Sequence, residues 1–166
     1  MNYDCIIIGA GISGMICGIK CANEGLRTLV ISGGKNALNF SSGSIDLIGY
    51  GKGQKVIPNG FSYLRHFIKS NPGHPYSKVG LKTISESLDF LKAQLKMEQL
   101  NLYNNGKKNH FHVTSMGTLK PTFISQDSVY NDKLKNAFEN KTKIAVLNFN
   151  GFRDYFAQFT LDQLKK

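Results

Sequence analysis

The chain has 166 residues, of which 41% are hydrophobic, and its 21 basic and 11 acidic side chains give a formal net charge of +10. This length predicts about one domain with a buried core, and no apolar stretch approaches the roughly 20 residues that a membrane-spanning helix needs. The lysines are scattered, so we expect a solvated basic surface and no nucleic-acid binding, with a docking face for a membrane or a partner protein as the alternative.

The N-terminal residues and the cysteines indicate a cytoplasmic protein. Residues 1–4 lack the basic segment of a signal peptide. The three cysteines include no Cys-x-x-Cys pair, which leaves no sequence signature of a zinc or redox site. We therefore expect Cys5, Cys17 and Cys21 to be small buried hydrophobic side chains.

The first thirty residues have the pattern of a β–α–β unit. Residues 3–8 are apolar at nearly every position after Asp4, which predicts a central strand covered on both faces. A helix follows up to about residue 23 and ends before a glycine at position 25. Residues 27–31 form the second strand, and the short crossover makes the two strands parallel neighbours.

The turn between the first strand and the helix has the sequence Gly-x-Gly-x-x-Gly, with Ser13 inside it. In the dinucleotide-binding folds, Gly9 allows the sharp turn, Gly11 lets backbone amides approach a phosphate, and Gly14 lets the helix pack closely on the strand. The helix N-terminus adds about half a positive charge. The motif predicts a nucleotide or flavin phosphate at these residues.

One part of the dinucleotide fingerprint is missing, because Ser32 stands where the second strand normally ends in Asp or Glu. A serine loses the charge-assisted hydrogen bond to the adenosine ribose, worth roughly 1.5–3 kcal/mol. This suits FMN, which has no adenosine, and weakens the case for FAD or NAD. It also suits NADP, whose 2′-phosphate would then meet Arg27 or Lys35. Ser32 alone leaves these alternatives open.

Residues 32–44 are rich in serine, glycine and asparagine and predict a long functional loop. We expect Ser41, Ser42, Gly43 and Ser44 to hydrogen-bond the flavin phosphate or ring, the alternative being a loop that only fixes its own turns. Gly33, with the glycine after it, is expected to let the backbone pass close to the cofactor.

The rest of the chain alternates short elements. Residues 45–48 and 143–148 read as strands, and residues 61–69 and 131–140 as short helices. Thr83 opens a capping box before an amphipathic helix over residues 84–98. An Asn-Gly turn predicts a hairpin of two strands; its arms are residues 100–103 and 111–114. A final helix carries an apolar aromatic stripe, which consists of Phe152, Tyr155, Phe156 and Phe159.

Five segments together resemble the B subunits of the bacterial anaerobic glycerol-3-phosphate dehydrogenases. These are Ile8-Gly9-Ala10-Gly11-Ile12-Ser13-Gly14, Phe40-Ser41-Ser42-Gly43-Ser44-Ile45-Asp46-Leu47, His74-Pro75-Tyr76-Ser77, Met116-Gly117-Thr118-Leu119-Lys120, and residues 143–147 with the Gly151-Phe152 pair that follows. The resemblance implies a flavoprotein with FMN in this polypeptide, an FAD-bearing A subunit and an iron–sulfur C subunit as partners, and a place at the inner face of the cytoplasmic membrane. It also implies oxidation of sn-glycerol 3-phosphate to glycerone phosphate, with electrons passed to quinone.

We therefore predict an α/β, doubly wound Rossmann-like flavoprotein fold that is incomplete. Residues 1–50 would bind the flavin, residues 51–140 would form an inserted α+β region, and residues 141–166 would return to the nucleotide-binding fold. Because the resembled proteins are considerably longer, we expect an N-terminal portion or a truncated form. An NADP-binding oxidoreductase and a non-catalytic truncated fragment are the alternatives.

Oxidation of a secondary alcohol needs a base, and histidine is the usual one. His74 lies in a segment that carries the resemblance and is the candidate, against a structural role beside Pro75. Arg65 or Lys120 would pair with a substrate phosphate. His110 and His112 alternate along a predicted strand without an evident third ligand, so we expect no metal site.

Overall fold

The computed structural model describes residues 2–130 and 132–165. The chain divides into two units, of which the first ends at Gly43 and the second begins at Ser44. The division falls inside the hydroxyl-rich loop, a few residues before the boundary predicted at residue 50.

The first unit is the β–α–β unit predicted from the sequence, and its two strands are parallel. Pairing runs from Cys5 with Thr28 to Ile8 with Ile31. A short 3₁₀ turn follows in the loop after the second strand. The elements are β1 (Cys5–Ile8), α1 (Ile12–Asn23), β2 (Thr28–Ile31) and the 3₁₀ turn Ala37–Phe40.

Only one face of β1 is covered within the first unit. Ile7 faces α1, where Gly18 lets the helix approach the strands closely. Ile6 and Ile8 point to the other face and are 57% and 86% exposed. The prediction that β1 is covered on both faces is therefore wrong for this chain. In the described part of the first unit, α1 is the one α-helix, and it covers one face of the strands. The parallel pair and its crossover helix nevertheless make this part of a Rossmann-like fold.

The second unit contains helices and two separate antiparallel strand pairs. Strand β3 (Leu102–Asn104) pairs with β6 (Ile124–Gln126), and β4 (His110–Val113) pairs with β5 (Leu119–Thr122). Its core brings together Leu64, Ile84, Leu88, Phe123 and Ile124. The elements are α2 (Gly60–Ser70), α3 (Pro75–Val79), α4 (Leu81–Met97), β3 (Leu102–Asn104), β4 (His110–Val113), β5 (Leu119–Thr122), β6 (Ile124–Gln126), α5 (Asp132–Glu139) and α6 (Ala157–Leu164).

The amphipathic helix predicted over residues 84–98 exists as α4, and its apolar stripe is buried at Ile84, Leu88 and Leu91. The predicted capping box is wrong. The helix begins earlier, with Gly80 as its N-cap residue and no side-chain cap, so Thr83 lies inside the first turn. Residues 61–69 form a helix as predicted, within α2. The helix predicted over residues 131–140 corresponds to α5, with residue 131 outside the described residues.

The predicted hairpin is wrong, although its turn forms. Lys108 donates its backbone N–H to the Asn105 carbonyl, which closes the Asn-Gly turn. The arms nevertheless pair elsewhere: β3 runs beside β6, and β4 runs beside β5. Asn104 also donates from Nδ2 to the Phe123 carbonyl at 2.8 Å. The local turn therefore forms without determining the strand pairing, which involves residues further apart in sequence.

Three predictions near the ends of the second unit fail. Residues 45–48 contribute only an isolated bridge between Ile45 and Ile124. Residues 143–148 form no strand, and Leu147 among them is 80% exposed. The aromatic stripe is not a core, because α6 begins after three of its four members, which therefore share no helical face. Phe152 and Phe156 are 53% and 72% exposed.

The cysteines also differ from the expectation that they are buried. Cys17 is exposed, and Cys5 and Cys21 are partly buried with their sulfur atoms 3.9 Å apart. All three are free thiols. Among the described residues, no helix combines the length and the apolar character that crossing a membrane requires.

Candidate functional site

The glycine turn that follows β1 has a geometry that only glycine allows at two positions. Gly9 leaves the strand with φ of +109° and donates its N–H to the Ile31 carbonyl at 2.8 Å. A side chain at Gly14 would overlap the carbonyl oxygen of Gly9. The first turn of α1 therefore lies directly against the end of β1, as the motif predicts.

The N-terminus of α1 is open toward solvent. Its N-cap residue, Gly11, is extended and provides no side-chain cap, and the first turn has no acidic residue. A Cβ atom at Gly11 would meet nothing within 4 Å, and Ser13 in the first turn is exposed. Helix N-terminal amides with partial positive charge and no capping side chain are suited to an anionic group. The residues present therefore fit the phosphate of a nucleotide or flavin cofactor.

Asn36, whose role the sequence did not predict, connects the loop after β2 to this turn. Asn36 donates from Nδ2 to the Ala10 carbonyl at 2.7 Å and accepts the Leu38 N–H at Oδ1 at 2.9 Å. The signal was an asparagine before a short apolar run, which is typical of an Asx-type turn. Its side chain fixes where the loop begins relative to the glycine turn.

Ser32 and Gly33 stand at the carboxyl end of β2, where we predicted cofactor contacts. Ser32 is exposed and donates its hydroxyl to the Gly34 carbonyl at 3.2 Å, while the Gly34 N–H approaches Oγ at 3.4 Å. Gly33 is exposed, and a Cβ atom there would meet nothing within 4 Å. The serine thus closes its own turn, and its cofactor role stays a prediction.

The NADP alternative relied in part on Arg27, which the structure places elsewhere. Arg27 donates from Nε and Nη2 to the Asp4 carboxylate at 3.0 and 2.8 Å. This pairing lowers the pKa of Asp4 and raises the pKa of Arg27. Arg27 precedes β2, whereas the glycine turn follows the carboxyl end of the parallel strand β1. Arg27 therefore lies at the wrong end of the strands to meet a 2′-phosphate; Lys35 is exposed in the loop.

The hydroxyl-rich loop fixes part of its own geometry. Ser41 donates to the Leu38 carbonyl at 3.4 Å and accepts the Gly43 N–H at 3.2 Å. Ser42 is exposed. Ser44 begins the second unit, and its hydroxyl lies 3.5 Å from Nδ1 of His112. The cofactor contacts predicted for this loop remain predictions.

His112 belongs to a polar cluster that the sequence did not predict. On the neighbouring strand, Lys120 binds the Asp46 carboxylate at 2.7 Å. His110 pairs through Nε2 with the Ser125 hydroxyl at 2.7 Å. The described residues contain no group of three or more His, Cys, Asp or Glu side chains placed to hold a metal ion. Only the alternation of the two histidines on one strand was visible in the sequence.

Burial explains the titration behaviour of both histidines. Desolvation lowers the pKa of His110 to about 4, and His112 acts in the same direction while Asp46 opposes it. Desolvation followed by the Lys120 ammonium lowers the pKa of His112, again against Asp46. Both imidazoles are therefore neutral at pH 7.

His74, the base candidate of the sequence analysis, caps a helix. Its Nδ1 accepts the Tyr76 N–H at 3.1 Å at the start of α3. Its ring packs edge-on against Phe67 at a centroid distance of 4.9 Å. These contacts support the structural role beside Pro75. Arg65 and His66 are exposed on α2.

Together, the parallel β–α–β unit, the glycine turn and the open helix N-terminus define a nucleotide-binding protein of the Rossmann-like class. Comparison with known families identifies the family within this class. A family model described as FAD binding domain matches residues 4–166, and the chain belongs to that family. The family indicates a flavin cofactor, so the preference for FMN drawn from Ser32 is not supported.

Curated relatives agree with the resemblance drawn from the five segments and confirm it. The B subunit of the anaerobic glycerol-3-phosphate dehydrogenase of Aliivibrio fischeri (strain MJ11) is 36% identical over 169 residues. The corresponding B subunits of Vibrio vulnificus (strain YJ016) and Glaesserella parasuis serovar 5 are 36% and 34% identical. All of this chain is covered, but it spans only 37–39% of the length of these relatives. No solved structure matches the chain.

Proposed function

We propose that this chain binds FAD through its glycine turn and serves in the oxidation of sn-glycerol 3-phosphate to glycerone phosphate. The observation that supports the proposal most is the FAD binding domain match over residues 4–166, which includes the open N-terminus of α1. The relatives named as glycerol-3-phosphate dehydrogenase subunits support the substrate.

The residues of the glycine turn and of the loop after β2 contribute to the proposed cofactor site in different ways. The backbone amides of the first turn of α1 bind a phosphate oxygen, and Gly9 and Gly14 hold this turn against β1. Asn36 keeps the following loop beside the turn. The bound flavin supplies the capacity to accept two electrons. FMN remains the alternative cofactor, because the adenosine site lacks an acid at Ser32.

The proposed function also involves partner subunits. The relatives are named as the B subunits of their enzymes, which supports an assembly of several polypeptides. We propose that its partners are an FAD-bearing A subunit and an iron–sulfur C subunit, and that these partners carry electrons to quinone at the inner face of the cytoplasmic membrane. The basic surface of the chain suits docking to such partners or to an anionic membrane.

Replacing Gly11 tests the phosphate site with little risk to the fold. A Gly11→Ala side chain meets nothing within 4 Å, and Gly11 is the N-cap residue directly before the helix amides that we propose to bind the phosphate. We expect the variant to fold normally and to bind FAD roughly tenfold or more weakly, since one charge-assisted hydrogen bond is worth about 1.5–3 kcal/mol. Flavin fluorescence quenching measures the affinity.

Gly73→Ala is the matched control, because its new side chain also meets nothing within 4 Å and lies outside the glycine turn. This variant should bind FAD as the unchanged chain does. Equal FAD affinity in the Gly11 variant and in the control would contradict the proposed phosphate site.

A further inference from the structure

The first unit contains two thiols that meet where α1 packs on β1. The Cys21 thiol approaches the sulfur of Cys5, and the two sulfur atoms are 3.9 Å apart. Cys5 is the first residue of β1, and Cys21 lies near the end of α1. Both side chains are partly buried, and both thiols are free. The strand and the helix therefore each bring one free sulfur to the same contact.

The local sequence explains why these two sulfurs meet. Side chains alternate between the two faces of a strand, so Cys5 shares the helix-facing side of β1 with Ile7. Gly18 and Cys21 are three positions apart on α1 and therefore share its strand-facing side. A Cβ atom at Gly18 would lie 2.9 Å from Cγ2 of Val30, so this glycine allows a close approach of helix and strands. The short cysteine side chains then reach each other.

The contact has the arrangement that an intramolecular disulfide requires. A disulfide places its sulfurs about 2.05 Å apart, and rotation about the Cα–Cβ bonds moves two cysteine sulfurs toward each other. Cys5 and Cys21 are 16 positions apart in sequence. The glycine turn, residues 9–14, lies between them. A bond between these sulfurs would therefore close a loop that contains the whole glycine turn.

We propose that Cys5 and Cys21 are an oxidation site that reacts with a small-molecule disulfide such as oxidised glutathione and forms an intramolecular disulfide. One protein thiolate attacks the glutathione disulfide, whose S–S bond breaks and releases one glutathione thiol. The other protein thiolate then displaces the second glutathione, and the bond between the two protein sulfurs forms. The two cysteines lose two protons and two electrons, which leave with two molecules of reduced glutathione.

Cys17 is the other thiol near Cys21, one turn earlier on α1, and it is less suited to this bond. A side-chain hydrogen bond with Cys21 raises the pKa of the Cys17 thiol, and desolvation acts in the same direction. A higher pKa leaves less of the thiolate, which is the form that attacks a disulfide. Cys17 is also exposed, whereas Cys5 is partly buried against α1. We therefore assign Cys5 as the partner of Cys21 and leave Cys17 outside the bond.

The test incubates the full chain with an excess of oxidised glutathione, alkylates the remaining thiols and maps the disulfides in a non-reduced tryptic digest by mass spectrometry. Trypsin cleaves after Lys20 and so separates Cys21 from the peptide that carries Cys5 and Cys17. We expect these two peptides to be joined by a disulfide in most molecules, with Cys17 alkylated or bound to glutathione. Treatment with a dithiol reductant should separate the peptides again.

Two variants identify the cysteine that bonds to Cys21. Cys17→Ser is the matched control and should form the crosslink as the unchanged chain does, whereas Cys5→Ser should lose it. A crosslink that survives in Cys5→Ser and is lost in Cys17→Ser would overturn the inference. Disulfides between two chains, mixed disulfides with glutathione alone, or three unchanged thiols in the unchanged chain would overturn it as well.

The disulfide should also restrain the glycine turn that it encloses. We expect amide hydrogen exchange in residues 9–14 to slow about tenfold or more in the oxidised chain, because a closed loop restricts the locally opened states. In Cys5→Ser, oxidised glutathione should leave this exchange unchanged. Equal exchange in the oxidised and the reduced unchanged chain would contradict the restraint. Neither readout requires bound flavin, so the inference is tested independently of the proposed function.

Discussion

At the scale of single residues, Ser32 is the position at which the proposed FAD can be tested against FMN. Its side chain closes a turn with Gly34 and leaves the end of β2 without a negative charge. FAD carries an adenosine ribose whose hydroxyl groups dinucleotide-binding folds bind with an acid at this position, whereas FMN has no such group. A substitution that restores the acid therefore distinguishes the cofactors.

We predict that Ser32→Glu tightens FAD binding by about tenfold or more and leaves FMN binding unchanged, because a charge-assisted hydrogen bond contributes roughly 1.5–3 kcal/mol. Titration calorimetry with each flavin measures the difference. Ser32→Ala is the control for losing the turn. The same gain for FMN as for FAD would show that the ribose of the adenosine does not lie at the end of β2.

At the scale of elements, local patterns predicted the β–α–β unit and α4, because their strands and helices are close in sequence. Strand β3 pairs with β6, which is more distant in sequence than β4. A local Asn-Gly turn does not indicate such a pairing. The contact between Ser44 and His112 joins residues 68 positions apart. The sequence therefore predicted the glycine turn of the candidate site but not the polar cluster around His112.

His110 joins the two strand pairs, and its titration should be visible in the stability of the second unit. Its pKa is about 4 in the fold, below the ordinary value of 6.5. The unfolded chain therefore binds a proton first as the pH falls, so the fold loses stability between pH 6.5 and 4. We predict a decrease in the free energy of unfolding of roughly 2–3 kcal/mol over this range.

Urea unfolding at several pH values, followed by near-UV circular dichroism of the stacked pair Tyr103 and Tyr130, measures this decrease. The His110→Gln variant keeps a partner for Ser125 but does not titrate. Its stability should depend less steeply on pH than that of the unchanged chain. Identical pH dependence in the two proteins would rule out His110 as the source.

At the scale of the whole molecule, one family model spans both units, although the chain divides at Gly43. Nearly all of the net positive charge belongs to the second unit, which also contains the polar cluster around His112. A basic unit of this kind favours the approach of anionic molecules. The charge can be counted from the sequence. The contacts between polar side chains of distant segments become visible only in the tertiary structure.

The central claim, that this chain binds a flavin, is tested most directly by an absorption spectrum of the purified chain with chromatographic identification of the released cofactor. We predict flavin absorption bands and release of FAD. Release of FMN would keep the flavin site and overturn the choice of FAD. A colourless chain that also fails to take up either added flavin would contradict the claim.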